Sequence, residues 1–228
     1  MKAVFAAVIG LLFSASLYGQ QYQPLKLFDL ATGADVVTYG TIINVDEHFF
    51  YLQGFTEQGK AKIYKIEKFT GRSGSYRWEA YAKGQRVFVF LRKVSNNLYS
   101  IMSPGAEGEL PVLNDSLVID MQCFTPLIQQ RLAPKGLTPE FRKLQTFNVG
   151  RKKVLGLRFT PLYLYQAIVA LRDCYQVILK RPNTFPSFTC FNFFDRYTRE
   201  KIDRQKRKSK LMLLMYNDME EAQMKNCK

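Results

Sequence analysis

Histidine and tryptophan occur once each in this chain of 228 residues, as His48 and Trp78, and cysteine only four times. A single imidazole excludes the multi-histidine zinc sites of hydrolases. The cysteines, Cys123, Cys174, Cys190 and Cys227, form no Cys-x-x-Cys pair, which weakens the metal-ribbon and thioredoxin-like readings, and no metal is assigned. Gly-x-Ser-x-Gly, P-loop, dinucleotide-binding and His-Glu-x-x-His patterns are missing as well, so motifs assign no catalytic residue and no cofactor. Acid is scarce too: 33 Lys and Arg stand against 19 Asp and Glu, a formal net charge of +14, and the folded surface should attract anions. What is plentiful is core material. With 47% apolar and 14% aromatic residues, the chain is not a disordered segment, a collagen-like fibre or a coiled coil.

Long uncharged runs are also rare. The one that matters, Ala3 to Leu17, follows Met1-Lys2 and leads into the polar stretch Tyr18-Gly19-Gln20-Gln21, the pattern of a secretory signal peptide over residues 1–19. About 15 apolar residues fall short of the roughly 20 that span a bilayer as a helix. Cleavage after Gly19 would remove a single charged residue, Lys2. The next apolar run, Leu162 to Leu171, is interrupted by Gln166 and closed by Arg172-Asp173, so no transmembrane span is expected in the mature chain. The expected location is secreted or periplasmic. There the four cysteines become disulfide candidates with three possible connectivities, and at least one bridge is expected in the second half, buried free thiols being the alternative.

Residues 22–121 read as a small β-domain. Val36–Val45 and His48–Phe55 flank Asp46-Glu47, short enough for a hairpin turn, and Lys60–Phe69 reads as a third strand. Arg86–Lys93 contains Val87-Phe88-Val89-Phe90-Leu91 without interruption, as expected of a central strand buried on both faces. Asn96-Asn97 turns it into Leu98–Met102, and Asn114-Asp115 joins Leu110–Leu113 to Leu117–Ile119. Six or seven short strands with little helix between them predict a closed or nearly closed antiparallel barrel, because closure removes exposed edges.

Two segments, Ala34-Asp35-Val36-Val37-Thr38-Tyr39-Gly40-Thr41-Ile42 and Lys83-Gly84-Gln85-Arg86-Val87-Phe88-Val89-Phe90-Leu91, resemble the opening and central strands of the OB-like barrels of the netrin and metalloproteinase-inhibitor type. The closer resemblance is to uncharacterised signal-peptide-bearing proteins of Bacteroidota, in which such a barrel carries an Arg-Trp element, here Arg77-Trp78. They also carry a Gly-Glu loop, here Gly105-Ala106-Glu107-Gly108-Glu109-Leu110-Pro111. It spans roughly residues 30 to 180 and implies architecture without activity. The mature amino terminus lacks the inhibitors' cysteine, so their metal-chelating wedge, and with it metalloproteinase inhibition, is not carried over.

Residues 122–181 read as a helical extension packed on the barrel. Thr125-Pro126, Thr138-Pro139 and Thr160-Pro161 each suit a helix start, since threonine caps the first turn and proline needs no donor there. After the third pair, Leu164, Ile168, Leu171, Tyr175 and Ile178 form one stripe opposite Gln166, Asp173, Gln176 and Lys180, and Pro182 ends the helix. Val154–Phe159 is strand-like and could add an edge to the sheet. Residues 182–228 read as a tail: an aromatic cluster of Phe185, Phe188, Phe191, Phe193 and Phe194, then the basic run. That run, Arg196, Arg199, Lys201, Arg204, Lys206, Arg207, Lys208 and Lys210 against Glu200 and Asp203, is the candidate anion-binding segment. Its plain alternative is a solvated charge block. Leu211–Met215 and the polar end could continue a helix.

The expected fold class is therefore α+β: a small antiparallel OB-like β-barrel, a helical segment and a basic helical tail. Arg77, Trp78, Glu107 and Glu109 are the candidate loop or groove residues. Arg77-Trp78 suits clamping a carboxylate or sugar, or anchoring the core; Glu107 and Glu109 suit acid-base or cation work, or a polar turn. His48 beside Asp46-Glu47 suits holding a metal or sharing a proton, or a plain strand position. The leading functional expectation is a non-enzymatic binding or accessory protein of the cell envelope, its basic tail docking on an anionic envelope component or acidic protein; export weighs against nucleic acid. The alternatives are an envelope enzyme using Glu107 and Glu109, and a structural component of an envelope assembly.

Overall fold

In the computed structural model, residues 24–56, 59–69, 77–103, 106–126, 128–129, 145–150, 152–179, 200, 203–204, 207 and 209–226 are described. Five strands close into a barrel: β1 (Val36–Val45), β2 (Phe49–Phe55), β3 (Ala61–Glu67), β4 (Arg86–Ser95) and β5 (Leu98–Ile101). Their order is β1-β2-β3-β5-β4 and back to β1, antiparallel throughout except for the parallel β3–β5 pair. The fold is thus α+β with an OB-like barrel, as expected. Closure depends on β1 serving two partners, β4 from Val36 to Thr41 and β2 from Thr41 to Val45. Gly40 sits at the handover, where a Cβ would stand 1.9 Å from the Gln53 carbonyl oxygen, so any larger residue would push β2 away.

The apolar run in β4 is buried on both faces for two separate reasons. Val87, Val89 and Leu91 point into the barrel with Ile42, Phe50, Leu52, Tyr64, Ile66 and Trp78. Phe88 and Phe90 point the other way, into a second core under the helices. All five are fully buried. The period-2 alternation of a strand serves two cores at once, so no polar residue is needed between the apolar ones.

The second core lies beneath α1 (Leu27–Gly33), α2 (Pro161–Leu179) and α3 (Lys210–Asn226). Strand β6 (Glu109–Pro111) extends the barrel sheet on β4, but β7 (Leu117–Asp120) leaves it. With β8 (Gln145–Val149) and β9 (Lys152–Phe159), β7 forms a separate three-stranded sheet in the order β7-β9-β8. The Asn114-Asp115 turn, both residues at positive φ, is where the chain passes from one sheet to the other.

Several expectations change here. Val154–Phe159 is not an added edge of the barrel sheet: it lies in β9, the middle strand of the second sheet, because β7 and β8 supply partners on both sides. Asn96-Asn97 turn β4 into β5 as expected, at negative φ. His48 falls in the turn, and β2 begins at Phe49 because the Asp46 carboxylate accepts hydrogen bonds from the backbone N–H groups of His48 and Phe49. Helix α2 starts after Thr160 as expected, with Leu164, Ile168 and Leu171 buried and Gln166 and Asp173 exposed. Gln129 N–H bonds to the Thr125 carbonyl after the first Thr-Pro pair, while Thr138-Pro139 and the phenylalanines at 185–194 lie outside the described residues. The segment read as an appended tail contributes α3 to the second core, with Leu211, Met212, Leu214, Met215 and Tyr216 buried.

Candidate functional site

The two elements singled out in the sequence, Arg77-Trp78 and the Gly-Glu loop, meet. Arg77 lies on the long connection between β3 and β4, and Glu109 opens β6. The guanidinium donates from Nε and Nη2 to Glu109 Oε1 at 3.0 and 2.6 Å, from Nη2 also to Gln85 Oε1 at 3.0 Å, and from Nη1 to the Glu79 carbonyl at 2.5 Å. Four of its five N–H donors are engaged. Its Cζ lies 4.1 Å from the Trp78 ring centroid and 3.8 Å from that of Tyr81, so aromatic faces cover the flat of the cation. Tyr81 completes the group by donating to Glu109 Oε2 at 2.9 Å and accepting from Phe69 N–H at 3.0 Å. Burial first, and the Glu109 charge second, hold its phenol well above the usual tyrosine range.

Both side chains of the ion pair are buried, at 8% exposure for Arg77 and 3% for Glu109. Arg77 is therefore not a surface neighbour of a core tryptophan, and the carboxylate it clamps belongs to its own chain. The chemistry of the group is that of a staple, tying the long β3–β4 connection to β6. Trp78 is the core anchor, with its indole N–H buried and without a hydrogen-bond partner among the described residues.

Glu107 is engaged elsewhere. Its Oε1 accepts from Leu25 N–H at 3.1 Å and from the Ser103 hydroxyl, fastening the chain before α1 to the barrel. The two carboxylates are thus held by different partners, and no group of three His, Cys, Asp or Glu suited to a metal occurs among the described residues. His48 is exposed, 3.8 Å from the Glu47 carboxylate. Cys123 is a buried free thiol, so this disulfide candidate takes the unpaired alternative, and burial pushes its thiol far up. Cys174 lies on α2; its side chain, Cys190 and Cys227 fall outside the described residues.

Of the basic run, Arg204 and Arg207 are exposed and Lys210 is half-buried at the start of α3; Arg196, Arg199, Lys201, Lys206 and Lys208 lie outside the described residues. No described helix is long and apolar enough to cross a membrane. Sequence reasoning missed Tyr81 and Gln85, the partners that complete the staple. It also missed a buried acidic pair on α3: Asp218 accepts from Thr125 N–H at 2.6 Å, and Glu221 accepts from the Thr125 hydroxyl. Polar side chains inside an apolar run are the only local signal for such a pair, and Asp218 and Glu221 follow that run rather than interrupt it. Comparison with protein-family models, curated proteins and solved structures finds no match.

Proposed function

We propose that this is an exported, non-enzymatic binding or accessory protein of the cell envelope, related to the netrin-like barrels, whose basic C-terminal segment docks on an anionic membrane surface. The observation that carries the reading is where the basic run is tethered. Eight cations between Arg196 and Lys210 lead directly into α3, whose apolar side is buried in the second core. The run is thus joined in sequence to a helix held in the core, and Arg204 and Arg207 are exposed. Such a segment gains roughly 1 kcal/mol per Lys or Arg near an anionic surface at low salt. Glu107 and Glu109, the residues of the enzymatic alternative, are occupied by structural hydrogen bonds.

Truncation at Pro182 would remove α3 and damage the core, so the test is charge removal. Arg199, Lys201, Arg204, Lys206, Arg207 and Lys208 are replaced together by Gln, and binding to phosphatidylglycerol-containing vesicles is measured against salt. The expected result is a loss of at least about a hundredfold in affinity and a flattened salt dependence. Unaltered binding would overturn the docking role. Export is checked separately by sequencing the amino terminus of natively produced material, which should begin near Gln20; an intact Met1 would sink it.

A further inference from the structure

A cleft of about 210 Å³ lies between the Asn114-Asp115 turn and one face of the second sheet, lined among others by Leu113, Asn114, Val118, Phe147, Asn148 and Arg158. Val118 and Arg158 are paired across β7 and β9, so they share this face. Phe147 joins it through its pairing with Val154, an even number of residues from Arg158. Arg77 has Glu109 and Arg86 has Asp115, whereas Arg158 has no ion pair or hydrogen bond among the described residues and rests only on the Phe147 ring, 4.7 Å from its centroid.

A guanidinium resting on an aromatic face keeps its edge N–H groups for ligands that lie in its plane, and carboxylates match that fork. Asn114 lines the turn side of the cleft, and Leu113, 48% exposed, Val118 and Phe147 give it an apolar side. Its walls are fixed beforehand. The Leu113–Ser116 bridge and the Arg86–Asp115 ion pair hold the turn. At the other end Gly150, at φ 57°, packs so tightly on Trp78 that a Cβ would stand 2.1 Å from the Trp78 carbonyl oxygen. The volume is below the roughly 300 Å³ at which sites for drug-sized ligands begin, so the occupant is small.

We infer that this cleft binds a small organic carboxylate with a compact apolar group, the acid on Arg158 and the apolar group against Leu113, Val118 and Phe147. The inference is independent of membrane docking by the basic segment. N-acetyl-leucine, its amide and inorganic phosphate serve as probes, followed by calorimetry and by amide chemical shifts of the full chain. The acid should saturate with shifts at Val118, Phe147 and Asn148, and the amide should bind about tenfold more weakly or worse, because the charge-assisted bonds are lost. Arg158→Gln should lose as much, and Asn114→Asp, which adds a repelling charge at the cleft without touching Arg158, should weaken binding at least as far; both positions are exposed, so the thermal midpoint should hold. Ala-Ala-Leu outbinding isovalerate would identify a peptide C-terminus as the source, and the reverse a free organic acid. Equal binding of acid and amide, an indifferent Arg158→Gln variant, phosphate competing as well as the acid, or no saturation by about 10 mM would each overturn the assignment.

Discussion

Glu109 and Asp218 are both buried carboxylates, one at the barrel and one on the last helix, and their surroundings are opposites. Glu109 has a guanidinium on one oxygen and a phenol on the other. Asp218 has the Thr125 N–H on Oδ1, while Oδ2 is buried with no hydrogen-bond partner among the described residues. Its neighbours are Glu221, which raises its affinity for a proton, and Lys26, which lowers it but donates its ammonium to the Gln122 carbonyl. Burial is the largest influence and pushes the Asp218 carboxyl up to about 6. The barrel neutralises its buried acid with a cation at any pH, the helical layer with a proton only below about pH 6. The two halves of the molecule should therefore respond differently to mutation and to pH.

The largest effect is expected at the staple. Arg77→Ala leaves Glu109 as an uncompensated buried charge and should cost about 3–5 kcal/mol in urea unfolding. The double variant Arg77→Met, Glu109→Leu removes both charges and should be less damaging than the single one. Equal losses would show that packing of Arg77 on Trp78 and Tyr81, not charge, is what matters. The next effect is a pH dependence centred on α3. A carboxyl whose folded pKa is raised makes its contribution fully below the unfolded value of 3.8, and that contribution is lost as pH rises through about 6. Across that window the unfolded chain gives up its proton while the folded one keeps it, so the protein should lose on the order of 3 kcal/mol between pH 4 and 7 from this group. Asp29, raised mainly by burial, adds in the same direction. In Asp218→Asn the decline should shrink to what Asp29 and other groups leave; an unaltered pH profile would rule out Asp218 as its source. Gly150→Ala, which strains a positive φ and drives a methyl into the Trp78 carbonyl, should cost about 1–3 kcal/mol and loosen the second sheet from the barrel.

What could be read in advance follows the range of the cause. The β4 strand was legible because alternation within five residues determines its burial, and α2 because its cap and stripe are local. Helix α1 was missed: Leu27, Leu30 and Ala31 supply the buried face, but seven residues carry less than two full periods. Strand β8 was missed because only Phe147 among its residues is buried, so it shows no alternation to recognise. Both halves of the staple were visible as motifs, yet 32 residues separate Arg77 from Glu109, and nothing local says that they touch. The tail reading followed the charge block and so overlooked that Leu211–Met215 had to be covered by something. That covering is the second core, and it carries Asp218 and Glu221 into the interior, away from the solvent their position near the chain end suggested.

The smallest effect is also the one that tests whether the two halves are separate. Thr160 Oγ1 accepts from Tyr163 N–H at 3.3 Å at the start of α2, a long bond, so Thr160→Ala should cost only about 0.5–1 kcal/mol. The change touches the helical layer alone. Phe88 and Phe90, however, belong to the barrel wall and to the second core together, and Tyr39 stacks on Phe88 from β1. If that shared wall makes the layers one cooperative unit, hydrogen exchange should quicken equally at amides of α2 and of β3, whose sheet partners are β2 and β5. Faster exchange confined to α1, α2 and α3 would instead show a helical layer that opens by itself over an intact barrel, with Asp218 setting how readily it does so as pH rises.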